Sequence, residues 1–422
     1  MSRIERESAT LTRTAPGLLG SLSRRVLFAA LAGLEGGALE LRAPDGVRRF
    51  GDPACEPQVL EVHDPRFFAR LARSGKLAVG EGYQAGEWST PDLPGLVALL
   101  ARNHDQVFGR LPLSLLAAVT RAIPRVELPR GLRRAERDVH AHYDLGNAFF
   151  SLWLDESMTY SCALFETPAA TLAEAQQAKY RVLADATRIG PDDHVLEIGT
   201  GWGGFALHLA RERGCRVTTT TISREQHALA TRRVAEAGLS DRIDVVYSDY
   251  RTLQGSYSRI VSIEMIEAIG HRQLGTYFAT IDRLLARDGF AGIQSILVPD
   301  QRYTLYRRQR DWIRKHIFPG GMLPSLEAVT RAARRSSSLM VHDVHEIGPH
   351  YARTLREWRE RFLLRRSEVE ALGLDLHFQR TWEYYLAFCE AAFATHALRD
   401  AQLVLTRPLN RALAAPLATN GV

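Results

Sequence analysis

Val195-Leu196-Glu197-Ile198-Gly199-Thr200-Gly201-Trp202-Gly203-Gly204 decides the fold. It reads as a short strand, a glycine-rich turn and the start of a helix. Glycine is needed where backbone must approach a ligand closely and adopt positive φ. Outward from this turn the chain alternates. His194–Ile198 is a strand, Phe205–Arg213 a helix, Cys215–Thr221 a β-branched strand and Arg224–Ala237 a helix. Ile243–Tyr247 and Ile260–Ile263 read as strands, Leu274–Leu285 as a helix and Phe290–Val298 as a strand. Strand–helix alternation at this spacing predicts an α/β fold with a doubly wound, mostly parallel sheet. Val341–Ile347, a helix with Leu355, Trp358 and Phe362, a helix at 381–396 and strand Gln402–Thr406 complete it.

The glycine spacing also satisfies G-x-G-x-x-G, the dinucleotide fingerprint, which requires an acid about 20 residues on for the ribose hydroxyls. That region reads Thr218-Thr219-Thr220-Thr221-Ile222-Ser223 and carries no acid. Glu197 instead precedes the first glycine, inside the strand. An acid at that place is the pattern of S-adenosylmethionine (SAM) methyltransferases, where a carboxylate can orient the loop amides or meet the ammonium of SAM. Asp249, after strand Ile243–Tyr247, stands where such a fold reads the adenine amino group; taken alone it reads equally well as a turn or helix cap.

Composition narrows the field. The 422 residues suggest two or three domains, and 45% hydrophobic content suffices for a large core. No apolar run reaches the ~20 residues that cross a bilayer. Ser23-Arg24-Arg25 before Val26–Leu34 resembles a twin-arginine signal superficially, but the apolar stretch stops at Glu35 without a small-residue cleavage site. A helix is expected there, then a strand near Ala38–Leu41. Net charge is +6, carried by arginine, since only Lys76, Lys179 and Lys315 are lysines. This balance favours anionic partners, membrane surface or nucleic acid, without choosing between them. Cys55, Cys162, Cys215 and Cys389 lie far apart, which argues against a zinc or iron–sulfur site and for reduced thiols in a cytosolic protein. No metal is expected.

Residues 1–125 read as a first unit, with short helical and turn-like pieces at Phe67–Arg73, Leu77–Gly86 and Leu93–Leu100. Residues 126–140 are a basic, proline-punctuated linker, either a solvated connector or a strip that meets lipid phosphates. Residues 141–410 form the larger domain, and 411–422 a tail. Within it, about 300–325 is basic and aromatic and reads as an insertion or lid.

Several segments together resemble the cyclopropane fatty acid synthases. They are His142-Tyr143-Asp144-Leu145-Gly146-Asn147, Met158-Thr159-Tyr160-Ser161-Cys162-Ala163, the glycine loop, and Thr221-Ile222-Ser223-Arg224-Glu225-Gln226. Ile317-Phe318-Pro319-Gly320-Gly321, Leu323-Pro324-Ser325 and Trp382-Glu383-Tyr384-Tyr385 extend the match, which runs in order from about His140 to Pro408. Residues 62–103 resemble, less specifically, the N-terminal domain of the longer phospholipid-acting members.

The resemblance implies a class I SAM-dependent methyltransferase fold with a seven-stranded sheet, a smaller lipid-docking N-terminal domain and a lid. It implies a cytoplasmic enzyme that visits the inner membrane face and modifies cis double bonds of phospholipid acyl chains. The SAM methyl would pass to an alkene carbon, the carbocation would lose a proton from the new methyl, and the ring would close. Bicarbonate accepts that proton in the family. Its cage carries over onto Cys162, Glu267, Tyr351 and Cys389, with contacts through backbone N–H rather than thiolate. SAM contacts carry over onto Tyr160, Ser161, Glu197, Gly199, Gly201, Gly203, Thr221, Ser223, Gln226, Asp249 and Tyr250. Many members have His where this chain has Gln294; the Gln amide can hydrogen-bond an oxyanion but cannot take up a full proton. Homodimers are common in the family.

The chemistry agrees with these residue types. An alkene offers no heteroatom to activate, so the site must align methyl and alkene, stabilise cationic charge and exclude water. Tyr143, Phe149, Phe150, Trp153, Tyr160 and Phe165 suit an acyl channel, but most read as core packing. Arg302–Lys315 mixes basic and aromatic residues, as a membrane interface does, although a solvated helix face is its ordinary reading. Four outcomes stay open: cyclopropane formation, methyl- or methylene-branching by the same cation, SAM or membrane binding without catalysis, and nucleic-acid methylation. For the last, Glu264-Met265-Ile266-Glu267 does not resemble an amino-methylation motif.

Overall fold

The computed structural model describes residues 18–109, 145–309 and 311–413. The basic linker, His142–Asp144 and most of the C-terminal tail lie outside the described residues. The chain divides into two compact units, residues 1–124 with 376–384, and residues 125–375 with 385–422.

The first unit carries a four-stranded sheet in the order β2-β1-β3-β4, formed by β1 (Ala38–Ala43), β2 (Gly46–Gly51), β3 (Pro57–Val62) and β4 (Trp88–Ser89). The sequence reading has only the first of these strands. β2 is almost wholly exposed, so its residues Gly46-Val47-Arg48-Arg49-Phe50-Gly51 lack the apolar alternation that marks a half-buried strand. Asp45-Gly46, the signal of a tight hairpin, was its only local mark. Trp88 is fully buried and donates its indole N–H to the Val79 carbonyl at 2.9 Å.

The second unit is built on a seven-stranded sheet in the order β10-β11-β9-β8-β5-β6-β7. Its strands are β5 (His194–Ile198), β6 (Arg216–Thr221), β7 (Ile243–Tyr247), β8 (Tyr257–Ile263), β9 (Leu285–Leu297), β10 (Met340–Glu346) and β11 (Arg399–Thr406). β5 through β9 pair in parallel, and β11 runs antiparallel between β9 and β10. Helices on both faces bury the apolar residues of the central strands: Val195, Leu196 and Ile198 are buried, as are Val217, Ile260 and Val261. One core cluster joins Leu196, Ile260 and Leu403 to helix Leu274–Leu284. The strand order reverses direction at β5, and the carboxyl ends of β5, β6 and β8 lie at that switch point, where open α/β sheets bind ligands.

Helix Leu172–Ala186 is absent from the sequence reading. It opens with a reciprocal capping box, Thr171 with Glu174. The segment after β9 forms helices Asp300–Arg308 and Trp312–His316. Its aromatics turn inward: Tyr303 and Trp312 are buried, and the Tyr303 hydroxyl lies 2.7 Å from His271 Nδ1. They serve packing, not an interface. Phe149, Phe150 and Trp153 are likewise fully buried against one another.

Phe278 is fully buried in the same core cluster. Phe278→Ala removes its contacts and leaves a cavity, so urea denaturation should show a loss of about 3–5 kcal/mol. Leu364, 81% exposed, should cost under about 0.5 kcal/mol on replacement by alanine.

Candidate active site

The glycine loop follows β5 directly. Gly199, Gly201 and Gly203 all have positive φ, at 101°, 51° and 86°. A Cβ on Gly199 would sit 3.3 Å from Met265, whereas one on Gly201 would meet no protein atom within 4 Å. The loop therefore leaves room on the Gly201 side for a ligand. Gly203 caps helix Gly204–His208. Glu197 is buried beneath the loop. Its carboxyl accepts from the Thr219 hydroxyl, whose oxygen in turn accepts from the Thr200 hydroxyl at 2.8 Å. Glu197 thus fixes the loop through two threonines, and burial raises its pKa to about 8.

The turn after β6 joins three expected residues. Thr221 Oγ1 donates to Gln226 Oε1 at 2.9 Å and accepts from the Ser223 amide, and Ser223 caps helix Arg224–Glu236 by accepting from the Gln226 amide. Asp249 and Tyr250 fall elsewhere in role. The Asp249 carboxylate is gripped by the Arg251 guanidinium, at 2.7 and 2.8 Å, and also caps the turn at the Arg251 amide. The Tyr250 ring packs edge-on against Tyr277 in the core, with its hydroxyl buried. The turn-cap reading accounts for what Asp249 does here.

A second cluster lies at the end of β8, centred on a residue the sequence reading did not assign. Glu264 is left-handed, φ 47°. A non-glycine residue in that region costs about 1–3 kcal/mol and is held by its surroundings. Its Oε1 accepts from the Cys162 backbone N–H at 2.8 Å and from Gln294 Nε2 at 2.8 Å. Its Oε2 accepts from the Tyr351 hydroxyl at 2.6 Å. Sheet register assembles the rest. Gln294 on β9 faces Gln402 on β11, and Gln402 Nε2 donates to Gln294 Oε1 at 3.2 Å. Asp400, two residues along on the same face, accepts from Gln294 Nε2 at 3.2 Å. Asp400 Oδ1 is buried without a hydrogen bond; burial, then the neighbouring Glu264 carboxylate, pushes its pKa far up. Lys179 is fully buried, donates to Ser161 Oγ at 2.7 Å, and has its pKa lowered to about 8 by burial. Burial raises the Cys162 thiol and the Tyr351 hydroxyl as well, so neither is ionised at neutral pH.

Three expected residues, Cys162, Gln294 and Tyr351, therefore meet around one point. Glu267 adjoins them: its Oε1 accepts from Ser295 Oγ at 2.9 Å and from the Ile296 amide at 2.7 Å, while its Oε2 is buried without a hydrogen bond. Burial, then Glu264, raises its pKa to about 8. Cys389 is not brought in. No hydrogen bond links it to the cluster, and the charge acting on its thiol is Asp311. The Tyr160 hydroxyl lies 2.7 Å from that of Tyr385, and its ring packs on Phe150 and Trp358. No group of His, Cys, Asp and Glu suited to a metal ion occurs among the described residues.

Two outcomes follow. Gly201→Val fills the open side of the loop, so equilibrium binding should show SAM affinity lost; unchanged affinity would remove the loop from the SAM site. Glu267 binds a proton in the folded state that the unfolded chain releases above its ordinary value of 4.5. Its contribution to stability is present below that value and is lost as pH rises towards about 8. Glu267→Gln keeps an acceptor for Ser295 and Ile296, so its melting temperature should fall less than the parent's across this window.

Residues 131–403 match the family described as mycolic acid cyclopropane synthetase. The chain is 42% identical over 365 residues to the tuberculostearic acid methyltransferase of Mycobacterium tuberculosis, covering 84% of this chain and 85% of that one. It is 33% identical over 362 residues to the cyclopropane-fatty-acyl-phospholipid synthase of Escherichia coli, covering 85% and 90%. The solved structure of the mycolic acid cyclopropane synthase CmaA1 complexed with SAH and CTAB superposes with a TM-score of 0.61 at 29% identity, over 67% of this chain and 100% of that one. With its seven-stranded, mostly parallel sheet and glycine loop, the chain belongs to the mycolic acid cyclopropane synthetase family of SAM-dependent lipid methyltransferases.

Proposed function

We propose that the protein transfers the SAM methyl group to a cis double bond in an unsaturated phospholipid acyl chain and removes a proton from the new methyl, closing a cyclopropane ring. The observation that carries this reading is the carboxyl cluster of half-buried Glu264 and Glu267 and buried Asp400 around the Cys162 N–H, Gln294 and the Tyr351 hydroxyl. A cation on an apolar chain has no protein nucleophile to capture. It needs nearby negative charge, a proton acceptor and exclusion of water.

SAM supplies an electrophilic methyl on sulfur. Gly199, Gly201 and Gly203 leave space for it, Glu197 fixes the loop, and Thr221, Ser223 and Gln226 shape the adjoining turn. Met265 lies against Gly199, one residue from Glu264, so the carboxyl cluster borders the loop. Bicarbonate fits poorly here. The donors that would hold it, the Cys162 N–H, Gln294 Nε2 and the Tyr351 hydroxyl, already donate to Glu264. No step is routed through it.

A branched product is the second reading. It is favoured by the 42% identity to a tuberculostearic acid methyltransferase. Methyl transfer is the same; a hydride shift before deprotonation gives a methylene branch in place of a ring. The first unit is proposed as the part that docks on lipid. Membrane contact by Asp300–Arg308 would rest on Leu305, 53% exposed and flanked by the exposed Arg302 and Arg308. No helix among the described residues is long and apolar enough to cross a membrane.

Lipid mass spectrometry of a host lacking its own synthase tests the reading. Expression should add one CH₂ to unsaturated acyl chains, and acid lability with fragment pattern then assigns ring or branch. Unchanged lipids from a protein that binds SAM would refute it.

A further inference from the structure

The geometry points to Glu264 as the proton acceptor of the reaction, a carboxylate built into the chain at the place where the family resemblance calls for a bound bicarbonate. The inference rests on the lipid reading above.

Glu264 has the contacts expected of a trapped oxyanion. One oxygen takes a backbone N–H and an amide N–H, both at 2.8 Å, and the other takes a phenol O–H at 2.6 Å. Bicarbonate and a carboxylate present the same planar pair of oxygens, so the same donors suit either, and only one can occupy them. The left-handed backbone at Glu264 turns the side chain into this position at the end of β8, next to the cofactor loop. That placement has a conformational cost of about 1–3 kcal/mol, as backbone held at functional sites often does.

The surroundings set protonation. Burial, then the neighbouring Glu264 carboxylate, pushes the pKa of Asp400 far up. Lys179, close by and fully buried, supplies the compensating positive charge. The three groups that meet Glu264, a backbone N–H, an amide N–H and a phenol O–H, all donate to it, so its two oxygens act as acceptors. In the reaction the S–CH₃ bond breaks with its pair remaining on sulfur, and the alkene π pair forms the new C–CH₃ bond. A C–H bond of that methyl then breaks. Its proton goes to Glu264, and its electron pair closes the ring or, after a hydride shift, forms the methylene double bond. Gln294 cannot take that proton and does not need to; its amide positions the acceptor.

The test uses the full chain with SAM and vesicles of oleoyl phosphatidylglycerol, in carbon-dioxide-free buffer with and without added sodium bicarbonate. Wild-type rate should not respond to bicarbonate. Glu264→Gln fills the same space without basicity and should lose roughly 10²- to 10⁴-fold in kcat in both buffers, the scale of a lost general base. Glu264→Ala leaves the three donors facing a carboxylate-sized gap. It should lose as much without bicarbonate and regain part of the rate with it, and ¹³C-bicarbonate NMR should show binding to this variant and not to wild type. Retained SAM affinity establishes that each variant is folded, and if the alanine variant does not fold, the wild-type and glutamine results decide. A wild-type enzyme that needs bicarbonate, or a Glu264→Gln variant of normal rate, overturns the inference alone. Absence of lipid product from wild type in both buffers overturns the lipid reading, and this inference with it.

Discussion

A carboxylate held by three donors inside the protein is the constraint around which the second unit is arranged. Glu264 is half-buried, and the hydration it loses is replaced by hydrogen bonds and nearby opposite charge. The replacements come from separate parts of the chain. Cys162 is in the loop before helix Leu172–Ala186, Gln294 on β9, Tyr351 on helix Gly348–Leu364, Asp400 on β11 and Lys179 on Leu172–Ala186. Only a sheet that places β9 between β8 and β11 brings these groups together. The antiparallel insertion of β11 is thus more than a topological detail. It supplies Asp400 and Gln402 from a face that a purely parallel neighbour in this place would fill with apolar side chains.

The two functional clusters depend on each other through very short links. Glu197 on β5 and Ser262 on β8 are tied to the loop region: Glu197 acts through Thr219 and Thr200, and Ser262 donates to the Ile198 carbonyl at 2.8 Å. Met265 touches Gly199, and Glu264 precedes it. A methyl donor in the loop and a base at Glu264 would therefore lie on adjoining strand ends, as required by a reaction in which methyl arrival and proton loss involve the same carbon. Asp249 sits outside this arrangement, its charge consumed by Arg251.

What was legible in sequence divides along physical lines. The parallel core strands were readable because short runs rich in β-branched and apolar residues alternate with helices, and the glycine loop because positive φ restricts the residue type. The first unit's hairpin was not, since exposed β2 carries Arg48 and Arg49 where periodicity would require apolar residues. Helix Leu172–Ala186 carried a capping box at Thr171 and Glu174, a usable signal that was passed over, and with it Lys179. Glu264 stood three residues before the chosen Glu267 and had no local mark at all. Its role depends on sheet register and on a backbone angle, neither of which a single sequence displays. In the segment after β9 a basic–aromatic mixture looks interfacial in sequence, while in the structure Tyr303 and Trp312 are buried.

The glutamine at 294 gains a physical explanation from this. A histidine there would bring its own basicity and one ring N–H at a time toward the site. The glutamine amide instead donates from one nitrogen to Glu264 and Asp400 while its oxygen accepts from Gln402. With Asp400 and Lys179 both fully buried beside it, a second titrating base would add charge to a region where burial already opposes it. The amide is neutral at every working pH. On the inference that Glu264 takes the proton, the site needs no base at position 294, and the neutral amide there serves to hold Glu264 in place.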